Sequence, residues 1–365
     1  MASADDHRYM AEALREAERG RFTASPNPNV GCVLVREGQI IGRGAHLKAG
    51  EGHAEVNALA DADGDAAGAT AYVTLEPCAF IGRTPACANT LVAAGVARVV
   101  IAVLDPHPKV SGKGVKILEA AGIEVLSGVM AAEAEESHAG FLSRMRRSRP
   151  FIRVKIAASL DGATALANGE SQWITGPEAR ADVQYWRARA CAVLTGIETV
   201  LADDPQMNLR GVYAGIYPPR RIILDSDLRM PSNSQMLALV GETVVITLAD
   251  SSHPRWSELE SAGATVVQGR SGDSRIDLSW LGTWLADEQI NELHVEAGAT
   301  LSGAFLKQGL CDEFLLYQAP VLLGSSVCGM LDISLGSLAD KILLSPLESV
   351  RLGNDTRLRF KAAQS

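Results

Sequence analysis

Three short stretches in the first half of the chain carry side chains that could bind a metal ion. They are His53-Ala54-Glu55, Glu76-Pro77-Cys78 and Cys87. One imidazole and two thiolates are suitable zinc ligands, and a site with three protein ligands leaves the fourth position open for water. Bound zinc lowers the pKa of that water to about 7, which makes hydroxide available as a nucleophile at neutral pH. The stretches therefore predict a catalytic zinc site formed by His53, Cys78 and Cys87.

Glu55 lies two residues after His53, in the first turn of a predicted helix, and can face the bound water without coordinating the metal. We expect it to be the catalytic proton shuttle, which takes a proton from water, protonates a ring nitrogen and delivers a proton to departing ammonia. His-x-Glu followed by Pro-Cys-x-x-Cys is the signature of zinc deaminases. Here eight residues, 79–86, separate the two cysteines, so the intervening loop must fold back and present Cys87 from the next helix.

Alternating strand and helix patterns should position these residues. A helix that Ser3 can cap opens the chain, and a short turn at Glu37-Gly38 joins a pair of strands that should be antiparallel. Later strands are separated by helices, which requires crossover connections, so we expect a largely parallel sheet with helices on both faces. One helix over about 131–146 should close this half.

The strand and helix rhythm restarts after Pro150, so we predict domains over residues 1–148 and 149–365. The second half lacks a Gly-x-Gly-x-x-Gly after a strand, so the ordinary dinucleotide fingerprint is absent. The nearest equivalent, residues 295–303, runs from a strand through a tight turn into a helix, where backbone N–H groups can cradle a phosphate. Such turns are common, and this one alone does not identify a cofactor site.

Composition argues against several classes of protein. The 365 residues carry 34 Lys and Arg against 43 Asp and Glu, a net charge of -9, which argues against nucleic acid as the main partner. The basic cluster over residues 144–149 is short, and we interpret it as a solvated boundary segment. No secretion signal or membrane-spanning run is evident, so we expect a soluble cytoplasmic protein. The six cysteines are too sparse for a disulfide framework and should be reduced, most of them in the core.

Further stretches carry a resemblance to a known family. In the first half they are Ser25-Pro26-Asn27-Pro28-Asn29-Val30-Gly31, Gly44-Ala45-His46, Val73-Thr74-Leu75-Glu76-Pro77-Cys78 and Gly82-Arg83-Thr84-Pro85. In the second half they are Ser159-Leu160-Asp161-Gly162, Gly169-Glu170-Ser171-Gln172-Trp173-Ile174-Thr175, Thr199-Val200-Leu201-Ala202-Asp203-Asp204-Pro205 and Val295-Glu296-Ala297-Gly298. Together they resemble the bacterial bifunctional riboflavin-biosynthesis deaminase-reductases almost from end to end.

The resemblance implies an α/β protein with two domains. The N-terminal domain would be a cytidine-deaminase-like three-layer αβα domain with a mixed sheet, and the C-terminal domain a dihydrofolate-reductase-like αβα domain. The first would use zinc to deaminate 2,5-diamino-6-(5-phosphoribosylamino)pyrimidin-4(3H)-one to 5-amino-6-(5-phosphoribosylamino)uracil. The second would use NADPH to reduce the ribosyl group to ribityl. The partner would be this small phosphorylated pyrimidine, without nucleic acid or membrane, in a homo-oligomer, either a dimer or a tetramer.

The resemblance also implies the site residues. His53, Cys78 and Cys87 would bind zinc, and Glu55 would transfer protons. Substrate contacts would come from Asn27, His46 and Arg83 in the deaminase half and from Ser171, Arg187, Met207, Arg210 and Glu296 in the reductase half. Cofactor contacts would come from Ala157, Trp173, Thr199, Asp203, Ser226, Gly298, Ala299, Thr300, Leu301, Ser302, Gly303 and Ala304. Arg187 and Arg210 suit the phosphate because guanidinium binds such groups through paired hydrogen bonds.

Two points stay open at this stage. Lys155 and Asp161 are candidate proton donors of the reductase, or else a structural ion pair near a strand end. The family usually has Ser-His directly after the first zinc cysteine, where both help to hold the substrate, whereas this chain has Ala79-Phe80. Neither of these side chains can form a hydrogen bond, so we expect weaker substrate binding.

Two other functions therefore stay open as alternatives. One is a protein in which only the reductase half is active. The other is a tRNA-editing zinc deaminase with a C-terminal binding module, whose basic cluster over residues 144–149 could contact RNA.

Overall fold

The protein is described by a computed structural model that covers residues 2–80, 86–324 and 327–362. Two compact units divide the chain, Met1–Ser148 and Arg149–Ser365. Each unit combines a β-sheet with α-helices. Within the described ranges, the helices are too short or too polar to cross a membrane.

The first unit has five strands and six α-helices. The strands are β1 Gly31–Arg36, β2 Gln39–Ala45, β3 Thr70–Leu75, β4 Arg98–Val103 and β5 Glu124–Ser127. The helices are α1 Ala4–Ala17, α2 Ala54–Asp61, α3 Cys87–Ala93, α4 Lys113–Ala120, α5 Ala131–Ser137 and α6 Ala139–Arg147, with a 3-10 turn at Glu18–Gly20. Ser3 caps α1 as expected, because its side chain accepts a hydrogen bond from the backbone N–H of Asp6.

The sheet of the first unit is mixed, in the order β2-β1-β3-β4-β5. The pair β1 and β2 is antiparallel as predicted, and β3, β4 and β5 are parallel. The expectation of a largely parallel sheet was wrong at β1, which is also antiparallel to β3. The crossover through α2 connects β2 to β3, which run in the same direction, and β1 lies between them.

The single helix expected over about 131–146 is two helices that meet at His138. The His138 side chain is buried, and its Nε2 lies 3.1 Å from the Thr74 hydroxyl on β3. That hydroxyl also accepts a hydrogen bond from the backbone N–H of Gly31. The break therefore occurs where a buried histidine connects the helices to the sheet.

The described residues of the second unit contain thirteen strands, of which nine form one sheet and four form two separate pairs. Its strands are β6 Phe151–Ser159, β7 Ala163–Leu166, β8 Ala192–Gly196, β9 Arg220–Leu224, β10 Thr243–Thr247, β11 Thr265–Gln268, β12 Ser271–Gly272, β13 Arg275–Ile276, β14 Glu292–Val295, β15 Glu313–Ala319, β16 Val327–Gly329, β17 Leu344–Leu352 and β18 Asp355–Ala362. Its helices are α7 Pro177–Arg189, α8 Ile197–Asp203, α9 Pro254–Ser261, α10 Leu278–Asp287 and α11 Ala299–Lys307, with 3-10 turns at Gly211–Tyr213, Gln235–Ala238 and Leu338–Asp340.

The strand order of the nine-stranded sheet is β11-β10-β9-β8-β14-β6-β15-β18-β17, in which the first seven strands pair in parallel and β18 is antiparallel to both of its neighbours, β15 and β17. Sequence analysis missed the terminal hairpin of β17 and β18 because charged residues interrupt its apolar pattern. Two of these charges are used inside the unit, where Arg357 pairs with Asp182 and Arg359 pairs with Glu313. Strand β15 ends at Ala319.

A network of buried ion pairs covers part of one face of this sheet. Arg153 on β6 is almost fully buried and contacts Glu292 on β14 and Glu313 on β15, at 3.1 Å and 3.0 Å. Arg189 on α7 makes a second pair with Glu292 at 2.8 Å. Removing one partner from such a network leaves a buried charge uncompensated, which is strongly destabilising. These pairs therefore fix strand β14 between its neighbours.

Helix α2 lies unusually close to strand β2, and Gly44 permits that approach. A Cβ at residue 44 would lie 2.2 Å from the carbonyl oxygen of Ala54 and 2.3 Å from the backbone nitrogen of Ala58. We predict that Gly44→Ala destabilises the protein by about 1–3 kcal/mol, because helix and strand must separate. Bound zinc should fall as well, since His53 precedes α2.

The measurements are the midpoint of urea denaturation and the zinc content of the purified protein. Gly215→Ala is the matched control, because a Cβ there meets no described atom within 4 Å. If Gly44→Ala matched the wild type in both measurements, the close approach would not be a constraint on the fold.

Candidate active sites

The three predicted zinc ligands lie together at one end of the first unit. His53 is the residue before α2, Cys78 follows β3, and Cys87 is the first residue of α3. The Nδ1 atom of His53 lies 3.2 Å from the Cys87 sulfur and 3.7 Å from the Cys78 sulfur. The three potential ligand atoms all lie within 4.8 Å of one another. One imidazole nitrogen and two sulfurs in this arrangement fit a zinc ion.

The start of α3 stabilises the Cys78 thiolate. The backbone N–H of Cys87 donates to the Cys78 sulfur at 3.3 Å, and the N–H of Ala88 donates to the Cys78 carbonyl at 3.2 Å. The pKa of the Cys78 thiol is lowered to about 4, first by its hydrogen bond with the Cys87 thiol and then by His53, against the effect of burial. A thiolate is the form that binds a metal. The chain thus folds back after Cys78, as the spacing required.

Glu55 is buried beside this cluster, with 3% of its surface exposed. Burial raises the pKa of its carboxyl group, and the negative charge of Cys78 adds to that effect. A carboxyl group with a raised pKa exchanges protons more readily near neutral pH than an exposed one. Its position suits proton transfer next to the metal ligands.

Asn27 and His46, two predicted substrate residues, contact each other next to the cluster. The side-chain amide of Asn27 lies 3.1 Å from Nε2 of His46, whose Nδ1 lies 3.0 Å from the carbonyl oxygen of Gly52. The rings of His46 and His53 are 5.1 Å apart, edge to face. Burial lowers the pKa of His46, so its ring is neutral. The third predicted residue, Arg83, lies outside the described residues.

Sequence analysis missed two residues that hold this site in place. Asn57 donates to the carbonyl oxygens of Ala45 and Gly52, which fixes the loop before His53. Glu76 accepts three backbone N–H groups from the loop and the start of the helix that follow β4, which are Asp105, Gly112 and Val115. The burial of Glu76 and its three donors are visible only in the fold, so no signal in the sequence marks this role.

Phe80, which stands where the family usually has histidine, is partly exposed. Its ring stacks on His107 with centroids 6.0 Å apart, and the Lys109 ammonium lies 6.0 Å from the ring centre. His107 follows β4. The two rings form a flat apolar surface without a hydrogen-bonding group at position 80.

In the second unit, many of the predicted reductase residues lie at or just after the carboxyl ends of neighbouring strands. Ala157 is on β6, Ser226 follows β9, and Glu296 follows β14. Thr199 and Asp203 are on α8, which begins directly after β8. These four strands are adjacent in the sheet, and their carboxyl ends form the edge where open α/β sheets bind ligands. Ser171 and Trp173 lie in the segment between β7 and α7, and Trp173 is 67% exposed.

The turn over residues 298–304 offers free backbone donors at the start of α11. Gly298 is the residue before the helix, and no side chain caps the first N–H groups. Gly303 lies against Asp332, where a Cβ would come within 2.7 Å of the carbonyl oxygen. A helix start with uncapped N–H groups fits the phosphate groups of a dinucleotide.

Arg187 and Glu296, both predicted substrate residues, are paired with each other. The guanidinium of Arg187 donates to the Glu296 carboxylate at 2.5 Å and 2.9 Å and to the Asn208 carbonyl at 3.2 Å. Burial opposes the charge on Glu296, but Arg187 holds the pKa of that carboxyl well below its usual range. Met207 is buried, and the Arg210 guanidinium contacts the side chains of Asn208 and Gln206.

Lys155 and Asp161 differ in their surroundings and do not form an ion pair within the described part of the chain. Burial lowers the pKa of Lys155, whose ammonium lies 5.7 Å from the centre of the Tyr317 ring. Asp161 accepts hydrogen bonds from the Ser159 hydroxyl and from the backbone N–H groups of Leu323 and Gly324. These bonds, the one from Ser159 first, lower the pKa of Asp161 to about 2.

The basic cluster near the boundary is used within each unit. The Arg144 guanidinium donates to the Pro26 carbonyl, Arg146 pairs with Glu135, and Arg147 donates to the Ser143 hydroxyl. Arg149 pairs with Asp312. The arginines of the cluster therefore have partners within the protein. The cluster no longer favours an RNA-binding protein.

The remaining cysteines are mostly buried, as expected. Cys32 and Cys311 are buried and Cys191 is half-buried, but Cys328 on β16 is exposed, so its assignment to the core was wrong. The apolar sequence around Cys328 belongs to a short strand that pairs only with β7 among the described strands, which leaves one side open.

Comparison with known protein families divides the chain in the same way. Residues 3–103 match the model described as cytidine and deoxycytidylate deaminase zinc-binding region. Residues 150–358 match the RibD C-terminal domain. Among curated proteins, the riboflavin biosynthesis protein RibD of Escherichia coli K12 is 47% identical over 370 residues, covering 98% of this chain and 100% of its own length.

Solved structures agree over the full length. A structure of Acinetobacter baumannii RibD, form 1, has a TM-score of 0.91 and 44% identity, and the match covers 99% of both chains. The diaminohydroxyphosphoribosylaminopyrimidine deaminase/5-amino-6-(5-phosphoribosylamino)uracil reductase of Thermotoga maritima has a TM-score of 0.87 and 28% identity, covering 98% of this chain and 99% of that one.

These matches confirm the fold class, the two activities and the two cofactors that the sequence predicted, and they do not favour a tRNA-editing enzyme. The chain belongs to the RibD family, the bifunctional deaminase-reductases of riboflavin biosynthesis, and combines a zinc-dependent deaminase domain with an NADPH-dependent reductase domain.

Proposed function

We propose that residues 1–148 deaminate 2,5-diamino-6-(5-phosphoribosylamino)pyrimidin-4(3H)-one and that residues 149–365 reduce the ribosyl group of the product to ribityl. The observation that carries the proposal is the cluster of His53, Cys78 and Cys87 with Glu55 buried beside it, in a chain that matches both halves of the family. Ammonia release from the diaminopyrimidine, followed by NADPH oxidation, tests the sequence of reactions.

In the deaminase, His53, Cys78 and Cys87 would hold the zinc ion. Zinc bound there would lower the pKa of a water molecule and so supply a hydroxide nucleophile at neutral pH. Glu55 accepts one proton of that water and passes it to a ring nitrogen, then accepts the second proton from the new hydroxyl group and passes it to the leaving amine, which departs as ammonia. Its burial against the metal ligands supports this role.

Asn27, His46 and Arg83 bind the deaminase substrate. The contact of His46 with the Gly52 carbonyl indicates a proton on Nδ1, and its Nε2 then accepts from the Asn27 amide. This arrangement fixes the Asn27 carbonyl oxygen as an acceptor for an amino group of the base. Arg83 supplies the positive charge that the substrate phosphate requires.

In the reductase, NADPH supplies a hydride to the ribose C1 carbon. Ala157, Trp173, Thr199, Asp203, Ser226 and the turn over residues 298–304 bind the cofactor. Ser171, Arg187, Met207, Arg210 and Glu296 bind the substrate, with the two arginines at the phosphate. The meeting of these residues at one sheet edge supports the assignment, because hydride transfer depends mainly on positioning.

Lys155 is the better of the two candidate proton donors. Its pKa is lowered by burial, which favours release of a proton, and its ammonium lies among reductase residues. Asp161 is held as an anion by three hydrogen-bond donors, so we assign it the task of holding residues 323 and 324 near the end of β6.

We also propose a cytoplasmic enzyme that forms a dimer or a tetramer. Large apolar side chains are exposed in and just before the edge strand β17, and they include Leu338, Leu343 and Leu347. Exposed apolar surface of this kind is typical of an interaction site. Light scattering on the purified protein measures the mass, and a monomer would contradict the oligomer.

The matches to both halves of the family do not favour the alternative function, a protein in which only the reductase is active, and Phe80 is the residue that bears on it. A side chain without hydrogen-bonding groups stands at a position where the family usually holds substrate. A protein that binds zinc and oxidises NADPH with the deaminated pyrimidine, yet releases no ammonia, would establish this alternative function.

Glu55→Gln should lower the rate of ammonia release by about 10²-fold to 10⁴-fold, because the amide cannot transfer protons. Zinc content and NADPH oxidation with the deaminated product should stay unchanged. The matched control is Glu51→Gln, since Glu51 is an exposed glutamate in the loop before α2. Ammonia release at the wild-type rate from Glu55→Gln would remove Glu55 from the mechanism.

Restoring Ser-His with the double substitution Ala79→Ser and Phe80→His should lower the deaminase KM by about threefold to tenfold, which corresponds to one gained hydrogen bond. Zinc content and reductase kinetics should not change. Ala79→Ser alone separates the two positions. Unchanged deaminase kinetics in the double variant would show that Phe80 does not limit substrate binding.

Lys155→Met should lower kcat for NADPH oxidation by about 10²-fold to 10⁴-fold. The wild-type rate should fall as pH rises through the lowered pKa of Lys155, because only the ammonium form donates a proton. This alkaline decline should be absent from the residual activity of the variant. Lys307→Met is the control, since Lys307 is an exposed lysine at the end of α11. An alkaline decline that persists in Lys155→Met would assign the proton to another group.

A further inference from the structure

His294 is a fully buried histidine on β14 whose role the reaction so far leaves unexplained. Its exposed fraction is 0%, and neither ring nitrogen has a hydrogen-bond partner among the described residues. Its nearest charged neighbour is the Glu296 carboxylate, with His294 Nε2 3.4 Å from Glu296 Oε1. An unpaired buried N–H group costs about 1–3 kcal/mol. A side chain with this cost calls for a functional explanation.

Alternation along β14 directs Glu292, His294 and Glu296 to the same face of the sheet. Glu292 forms ion pairs with two arginines, Arg153 and Arg189. His294 therefore lies between a glutamate that belongs to the structural ion network and a glutamate that we assign to the substrate. Of these two carboxylates, Glu296 is the one within reach of the imidazole.

The groups around His294 keep the imidazole neutral. Arg153 is directly opposite it on β6, and the Arg187 guanidinium on α7 is paired with Glu296. Burial first, and then these two positive charges, lower the pKa of His294 against the effect of Glu296. Lys155 on β6 also acts on Glu296. A neutral imidazole carries one N–H, and on Nε2 that N–H faces the carboxylate.

The contact with Glu296 is incomplete in the free protein because Arg187 binds both carboxylate oxygens. A substrate phosphate at Arg187 competes with Glu296 for the same guanidinium donors. Glu296 then needs another donor to stay in place as an anion. His294 can supply it after a shift of a few tenths of an ångström, since the two atoms are already 3.4 Å apart.

We propose that His294 is a positioning residue of the reductase, which donates from Nε2 to Glu296 and orients that carboxylate to accept hydrogen bonds from the substrate hydroxyl groups. The inference rests on the proposed substrate role of Glu296. His294 does not touch the substrate or the cofactor. It acts through Glu296, so its loss should weaken substrate binding more than it slows hydride transfer.

The test uses the full-length zinc-loaded enzyme and three substitutions. His294→Phe removes the donor, His294→Gln replaces it with an amide that reaches the position of Nε2, and His294→Asn places the amide near the position of Nδ1. We expect His294→Phe and His294→Asn to raise the KM for the deaminated pyrimidine about tenfold, as for a lost hydrogen bond to a charged group. We expect His294→Gln to stay within about threefold of the wild type. The kcat and the KM for NADPH should change by less than about twofold.

A double-mutant cycle shows whether the effect passes through Glu296. In a Glu296→Gln background, His294→Phe should raise the KM no further, because the carboxylate that it positions is gone. Leu293→Val is the matched control. Leu293 is a buried core residue next to His294 and on the opposite face of β14, so its substitution lowers the melting temperature without the tenfold change in KM.

Three results would overturn the proposal. They are an unchanged KM in His294→Phe, equal effects of His294→Gln and His294→Asn, and additive effects in the cycle. If the wild type neither bound nor reduced the deaminated pyrimidine, the proposed function itself would fail, and this inference with it. A functional wild type with an unaffected His294→Phe variant would contradict the positioning role alone.

Discussion

Both units bury charged groups at the carboxyl end of a sheet, and each buried charge must be compensated inside the protein. In the first unit the Cys78 thiolate is compensated by a helix start and by His53, which is also the arrangement that a zinc ion requires. In the second unit the Glu296 carboxylate is compensated by Arg187. The partners that make burial tolerable thus lie among the residues to which we assign the two reactions.

The need to compensate buried polar and charged groups also explains why the residues that support the two sites are polar. Glu76 accepts hydrogen bonds from three backbone N–H groups, which fix the loop after β4 next to the Pro77-Cys78 segment. Arg153 has the corresponding task in the second unit, where it connects β6 to β14 and β15. Elsewhere in a core, one side chain can be exchanged for an apolar residue. Glu76 and Arg153 are constrained, because each of them satisfies several hydrogen-bonding or charged partners.

Sequence predicted the candidate ligand cluster better than the residues that support it. The meeting of His53, Cys78 and Cys87 beside Glu55 follows from residue types and spacing, which are local properties. The roles of Glu76, Asn57 and His294 depend on contacts across the fold, and no spacing rule marks them. The antiparallel pairing of β1 with β3 depends on the crossover from β2 to β3, which passes over β1. The hairpin of β17 and β18 has no clear apolar pattern in the sequence, because arginines that pair with Asp182 and Glu313 interrupt it. Local patterns therefore identify most elements, and strand direction and buried polar partners require the whole fold.

The negative net charge of the chain bears on how the two sites bind a phosphorylated substrate. A phosphate group stays on the pyrimidine through both proposed reactions, so each site needs local positive charge on a chain whose net charge is -9. In the second unit that charge is a buried arginine already paired with Glu296, which lowers its attraction for distant anions. Anionic polymers meet an acidic surface, whereas a small phosphate that enters the site can compete for the guanidinium at short range. Under the proposed assignment, the pairing of Arg187 with Glu296 in the free enzyme makes phosphate binding a competition with that carboxylate, which His294 then helps to hold in place.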